Sequence, residues 1–304
     1  MRGVFVDANE ALAVIFERLT KSGDPEVSIH RDPDVTSDQL ADVLGGAEIA
    51  IVDHTALPTE VARKCSGLKH VVFLGTGARS YMNPEELAEL GIAVHLIRGY
   101  GDTAVAESTI ALMWAAARGI AQMDREMRAG NWLREDGMQL TGKTLGLIGF
   151  GGIAAEVARI ALGGGMRVIA WNRSPKKSSK VELVELDELL TESDVVSLHL
   201  LLNDETRGFI SRACIEAMKP GVILVNTARG ALVDEDAMIE ALQSGQIRHA
   251  GLDVFNIEPL PVDHPLTKLP NVTLSAHSAF RTPEASENLI EAAWQHCRRI
   301  VKGK

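Results

Sequence analysis

Short apolar runs alternate with longer stretches of helical spacing along almost the whole chain. In the first third the runs fall at residues 3–6, 27–30, 49–52, 70–74 and 92–96. The stretches between them, such as 8–21 and 59–65, place apolar residues at helical spacing with Gly or Pro near their ends. A second series of runs follows at 144–149, 166–171, 181–183, 194–200, 221–226, 248–253 and 271–275. Val195-Val196-Ser197-Leu198-His199-Leu200 and Val222-Ile223-Leu224-Val225-Asn226 barely alternate, which suits strands buried on both faces. Strands alternating with helices predict βαβ units and parallel sheets. The expected fold class is α/β, with two Rossmann-like doubly wound parallel-sheet domains and a cleft between them.

Two helices frame the second series. The stretch 102–129 is rich in Ala, Leu and Met, and Asp102 or Thr103 is available as its cap, so it reads as one long crossover helix. The last helix, about 283–302, starts at Thr282-Pro283-Glu284, a cap followed by a first-turn proline and an acidic residue.

Composition narrows the class. With 304 residues, the chain is long enough for two domains with separate cores, and 46% hydrophobic content suits a globular protein. No run approaches the length of a membrane span, and Met1-Arg2-Gly3-Val4-Phe5-Val6-Asp7 lacks a signal-peptide layout. A formal net charge of -10 argues against non-specific nucleic-acid binding. Cys65, Cys214 and Cys297 are far apart in sequence and read as reduced thiols of a cytoplasmic protein, with no zinc or other metal site suggested. Lys176-Lys177-Ser178-Ser179-Lys180 reads as a solvated loop.

The chemistry begins at Gly149-Phe150-Gly151-Gly152-Ile153-Ala154, a Gly-x-Gly-x-x-Ala turn between a predicted strand and a predicted helix from about 154 to 162. The first glycine permits the turn, the second lets backbone approach a pyrophosphate, and the third position needs only a small residue. Helix N-terminal N–H groups, including that of Ile153, then meet the phosphates. A second strand ends about twenty residues on, which makes a nicotinamide dinucleotide the expected cofactor. That strand ends in Trp171-Asn172-Arg173-Ser174, without the carboxylate that accepts hydrogen bonds from the ribose of NAD. Arg173 and Ser174 suit a 2′-phosphate, with Lys176 or Lys177 nearby, so NADP is favoured. The alternative is that Asn172 binds the ribose and Arg173 points into solvent.

Three further residues follow later strands, where ligands of open α/β sheets gather: Arg229, Glu258 and His277. Reducing a carbonyl by hydride requires a proton donor, which suits histidine. A carboxylate such as Glu258 orients such a ring, and an arginine clamps a substrate carboxylate. Each also has an ordinary structural role open to it: a core histidine, a salt bridge, a turn cap before Pro259.

Taken together, Gly149–Ala154, Asn226-Thr227-Ala228-Arg229-Gly230, Gly251-Leu252-Asp253-Val254-Phe255 with Glu258-Pro259, and His277 with Thr282 and Glu284 resemble the D-2-hydroxyacid dehydrogenase family. The resemblance runs from about residue 70 to 295. It implies a discontinuous substrate domain (1–99 and 283–304) around a dinucleotide-binding domain (100–282). Arg229, Glu258 and His277 are implied as the catalytic set, and Thr227, Ala228, Arg229 and Asp253 as cofactor contacts. Leu74-Gly75-Thr76-Gly77-Ala78 resembles the loop whose N–H groups hold the substrate carboxylate, making Gly75, Thr76 and Gly77 expected substrate contacts with Arg229. A homodimer is implied, the arm at about 119–142 with Asn131-Trp132 resembling the segment that reaches across.

The chain departs from the family pattern at several points. Arg79-Ser80-Tyr81-Met82 replaces an acidic run, Leu96-Ile97-Arg98-Gly99 replaces Asn-x-Pro-Gly, and Leu201 stands for a common proline. Gly152 takes the place of the usual arginine in the glycine turn, and Ser278-Ala279-Phe280-Arg281 that of a glycine-rich run. The expected activity is reversible hydride transfer between NAD(P)H and a small 2-keto acid, in the reductive direction for glyoxylate- or hydroxypyruvate-like substrates. A cofactor-sensing binding protein of the co-repressor type is the alternative from another class. A formate-acting relative would need different residues in the substrate loop.

Overall fold

A computed structural model of the chain describes residues 1–174 and 180–303. Lys176, Lys177, Ser178 and Ser179 of the basic cluster lie outside the described residues, and Lys180 is exposed.

The chain divides into two compact units, Met1–Gly101 joined by the segment from Arg281 onward, and Asp102–Phe280. The first contains β1 (Arg2–Phe5), α1 (Glu10–Leu19), β2 (Glu26–Ile29), α2 (Leu40–Leu44), β3 (Ile49–Val52), α3 (Thr59–Ala62), β4 (His70–Phe73), α4 (Pro84–Glu89) and β5 (Ala93–Leu96). Its five strands are parallel in the order β2-β1-β3-β4-β5, the flavodoxin-like doubly wound order. Alternate residues of β3 face opposite cores: Ala50 and Val52 join one cluster, Ile49 and Ile51 the other. This is why the strand is apolar throughout.

The second unit opens with α5 (Asp102–Arg118) and α6 (Ile120–Arg128), then β6 (Thr144–Ile148), α7 (Gly152–Gly163), β7 (Arg167–Trp171), β8 (Glu182–Leu183), α8 (Leu186–Glu192) and β9 (Val195–Leu198). It continues with α9 (Arg212–Ala217), β10 (Val222–Asn226), α10 (Glu235–Ser244), β11 (Ile247–Leu252) and β12 (Val272–Leu274). The sheet order β12-β11-β10-β9-β6-β7-β8 is a Rossmann order with one added strand, and every pairing is parallel. The order reverses between β6 and β9, so the glycine turn after β6 sits at the switch point where ligands of such sheets bind. Again the faces alternate, with Leu145 and Leu147 in one core and Ile148 in the other.

The single crossover helix expected over 102–129 is two helices. Gly119 takes φ +62, a left-handed conformation that ends α5 and starts α6. Glycine reaches that region without the Cβ clash of other residues, and this outweighs the helix propensity of the flanking Ala and Met. The helix after the glycine turn also starts earlier than expected, at Gly152.

The final helix, α11 (Pro283–Val301), belongs to the first unit. Thr282 caps it by accepting from the Ala285 N–H at 3.1 Å. Leu289, Ile290, Ala293, Trp294 and Cys297 lie at helical spacing and are buried against α1 and the sheet. Trp294 stacks on Phe16 at 4.3 Å and donates its indole N–H to the Phe16 carbonyl at 3.1 Å. Among the described residues, no helix is long and apolar enough to cross a membrane.

Candidate active site

The glycine turn is built by its neighbours in the sheet. Gly149 takes φ +93, and a Cβ there would lie 2.5 Å from the His199 carbonyl oxygen, so only glycine fits. Its N–H donates to the Trp171 carbonyl at 2.9 Å, and the Phe150 N–H donates to Asn172 Oδ1 at 3.0 Å. Gly151 is exposed, with nothing within 4 Å of where its Cβ would be. Among the described residues, the N–H groups of Gly151, Gly152 and Ile153 donate to no protein acceptor. An open backbone approach and unused donors at the N-terminus of α7 fit a dinucleotide pyrophosphate.

Asn172 spends its side chain on the turn itself, since its Nδ2 also donates to the Ser174 carbonyl at 2.7 Å. Arg173 and Ser174 are exposed at the end of β7, and Arg173 is paired with the equally exposed Glu205. His199, next to the turn, accepts or donates at 2.9 Å with Ser197 Oγ, and burial pushes its pKa down to about 4.

Arg229, Glu258 and His277 follow β10, β11 and β12, three neighbouring strands of the sheet. The Arg229 loop is pinned by buried Asn226, whose Oδ1 accepts from the Ala228 N–H at 3.0 Å and whose Nδ2 donates to the Arg229 carbonyl at 2.9 Å. Thr227 is buried, its hydroxyl 2.8 Å from that of Thr109 on α5. Arg229 donates from Nη1 to the Ala228 carbonyl at 2.6 Å and is half-buried. Gly230 lies directly against the backbone of Phe255 and Asn256, which brings the Arg229 loop to the Glu258 loop. Glu258 Oε1 accepts from the Phe255 N–H at 2.9 Å, and Oε2 lies 2.6 Å from His277 Nδ1. The structure brings Glu258 and His277 together, while no direct contact joins Arg229 to either side chain among the described residues.

The sequence reading named Asp253 as a cofactor contact and did not foresee that it holds this histidine loop. Asp253 is fully buried; Oδ1 accepts from the Ser275 hydroxyl at 2.6 Å and the Ser278 N–H at 3.0 Å, and Oδ2 from the Ala279 N–H at 3.0 Å. Its carbonyl accepts from the His277 N–H at 2.7 Å, and His277 takes φ +46, strained for a residue with a Cβ. An acidic residue closing a strand marks the position in the sequence, and it does not reveal that the carboxylate turns inward.

In the first unit, the loop after β4 carries buried Gly75, exposed Thr76 and half-buried Gly77. Among the described residues the Thr76 and Gly77 N–H groups donate to no protein acceptor, which suits an anion. Arg79 is paired with Glu85, Tyr81 packs on Phe73 with ring centroids 5.4 Å apart, and Arg98 is exposed. Beside this loop, after β3, the buried Asp7 accepts from the N–H groups of Asp53, His54 and Thr55 at 2.8–3.1 Å. Hydrogen bonding to Asp53 is the main reason His54 has its pKa raised to about 9.

The chain is similar to proteins of known activity. Residues 110–279 match the family model described as D-isomer specific 2-hydroxyacid dehydrogenase, NAD binding domain. A hydroxypyruvate reductase of Thermotoga maritima is 39% identical over 259 residues, 83% of this chain and 84% of its own. A glyoxylate reductase of Aeropyrum pernix is 44% identical over 228 residues, 71% of this chain and 68% of its own. Among solved structures, an acyclic imino acid reductase in complex with NADPH and D-Arg aligns with a TM-score of 0.86 and 30% identity, over 100% of this chain and 98% of that one.

Proposed function

The chain belongs to the D-isomer specific 2-hydroxyacid dehydrogenase family, and from that premise we propose that it reduces a small 2-keto acid of the glyoxylate or hydroxypyruvate type with NADPH. It is a nicotinamide-dependent oxidoreductase, and the choice of NADPH and the site roles are our reading. The observation that carries the reading is the 2.6 Å contact between His277 Nδ1 and Glu258, in the unit that also bears the glycine turn.

A reduced nicotinamide, when bound, supplies hydride to the keto carbon. The seven-stranded unit holds the dinucleotide through Gly149, Gly151, Gly152 and Ile153, with Thr227, Ala228, Arg229 and Asp253 lining or supporting the seat. The five-stranded unit binds the substrate carboxylate through the N–H groups of the Gly75-Thr76-Gly77 loop, aided by Arg229. With Nδ1 of His277 taken by Glu258, Nε2 is the atom left to deliver a proton to the carbonyl oxygen. Glu258 fixes the ring, and the buried Asp253 fixes the loop that carries it.

Preference for NADPH rests on Arg173 and Ser174, which stand exposed where a carboxylate would serve NAD. The Arg173–Glu205 pair does not oppose this, because an exposed ion pair is worth little and is readily exchanged for a phosphate. A homodimer is supported by α6, which buries none of its residues, and by Ile120, Met127 and Trp132, which are 52%, 56% and 77% exposed. The three free cysteines suit a cytoplasmic setting.

Steady-state assays with a panel of 2-keto acids, each with NADPH and NADH, test the proposal. Turnover of glyoxylate or hydroxypyruvate with a higher kcat/KM for NADPH is expected. Absence of turnover with every keto acid, despite cofactor binding, would reject it.

A further inference from the structure

Asp102, the first residue of α5, places its carboxylate against Gly152, the first residue of α7. A Cβ on Gly152 would overlap Asp102 Oδ2 and stand 2.9 Å from its Cγ. The position that carries an arginine in the family pattern is therefore a glycine here, and an acidic group from another helix occupies the space. Among the described residues, the Asp102 side chain accepts no hydrogen bond and pairs with no cation. It does not cap α7, whose N-cap residue Gly151 supplies no side chain.

We infer that Asp102 is a negative charge held at the pyrophosphate seat, which weakens cofactor binding and makes it depend on pH. The inference rests on the reading that the Gly149–Ala154 turn receives the pyrophosphate. An anion is attracted to the N-terminus of α7, and the carboxylate already lies in that field while satisfying none of its donors. An incoming pyrophosphate meets this charge within a few ångströms, where like charges repel. Burial raises the pKa of Asp102, and Glu156 on α7 raises it further; Glu156 itself is paired with Arg159 at 2.9 Å. The sign follows directly. Below its pKa Asp102 is neutral and binding is tightest; as pH rises through that pKa the charge appears and the dissociation constant rises. Cofactor release at neutral pH is faster for the same reason. Asp102 acts as a positioning charge toward the cofactor and takes no part in the chemistry.

Calorimetric titration of the full chain with NAD+ between pH 4 and 8.5, repeated with NADPH at pH 7.5, tests this without measuring turnover. Asp102→Asn, of the same shape, is expected to bind both cofactors about fivefold tighter at pH 7.5 and to flatten the pH dependence seen in the parent. Asp102→Ser provides a second neutral variant and is expected to behave likewise. Unchanged or weaker binding by both variants, with the pH dependence retained, overturns the inference. Gly151→Val separates it from the underlying reading, because a Cβ there meets no protein atom within 4 Å, and the branched side chain would stand in the path of the pyrophosphate. Loss of binding in that variant supports the turn as the seat. Retained binding overturns the seat, and the role of Asp102 with it.

Discussion

Glu258 joins His277 to the backbone of its own loop: one carboxylate oxygen lies 2.6 Å from His277 Nδ1, and the other accepts the Phe255 N–H at 2.9 Å. A carboxylate held at both oxygens cannot swing, so the imidazole is offered in one orientation with Nε2 free. His277→Ala is expected to lower kcat/KM by about a thousandfold, while the NADPH dissociation constant stays within about twofold. Glu258→Gln keeps the Phe255 contact and loses the charge; a fall of about ten- to a hundredfold in kcat is expected, with an altered pH–rate profile. Full activity in His277→Ala would remove the proton-transfer role from this residue.

Asp253 holds the histidine loop by four hydrogen bonds, three of them to its side chain. Asp253→Ala leaves the Ser275 hydroxyl and the Ser278 and Ala279 N–H groups without their acceptor in a buried place. A stability loss of about 3 kcal/mol in urea unfolding is expected, together with a fall in kcat. Asp253→Asn retains one acceptor oxygen and should lose less. A variant with native stability and activity would show that the loop is held by other contacts.

Arg173 stands exposed at the end of β7 and is paired with the exposed Glu205. Arg173→Ala is expected to raise the NADPH dissociation constant about tenfold and to change that of NADH by less than about twofold. Fluorescence titration of both cofactors gives the comparison. Equal losses would mean that the 2′-phosphate is bound elsewhere or not at all.

His95 on β5 lies 3.1 Å from the ring nitrogen of His70 and 5.5 Å, centroid to centroid, from His296 on α11. Burial, then the charges of His70, His296 and Arg299, push its pKa down to about 4. The folded-state pKa lies below the usual value near 6.5, so the folded unit favours neutral His95. Its contribution is complete above about pH 6.5 and is lost as pH falls toward 4. His95→Phe should flatten the acid-side decline of the melting temperature, by an amount equivalent to about 1 kcal/mol after discounting for solvent screening. An unchanged pH–Tm curve would exclude His95 as a source of acid sensitivity.

Much of the fold is legible in the sequence because burial on both faces of a parallel strand leaves little room for polar residues. Thus 49–52 and 222–225 are apolar from end to end and lie in strands. The glycine turn is legible for a related reason: at φ +93 and against the His199 carbonyl, residue 149 admits nothing but glycine. Thr282-Pro283-Glu284 marks the start of α11 because capping uses residues within one turn of each other. Such rules act over a few residues, and the sequence prints them directly.

Gly119 shows where local propensity misleads, since one left-handed residue divides a stretch that otherwise favours a single helix. Other facts are not local at all. That α11 joins the first sheet, that Asp253 turns inward to hold residues 275–279, and that Asp102 lies on Gly152 each depend on elements brought together from distant parts of the chain. A hydrophobic period specifies which face of a helix is buried; it carries no information about the partner. An acidic residue likewise looks the same in sequence whether it faces water, a backbone donor or a neighbouring helix. From its sequence alone this protein is therefore determined as a two-sheet α/β dehydrogenase with a glycine turn and a set of candidate residues. Only the tertiary structure decided which of those residues meet, because side-chain contact is set by the packing of separate elements.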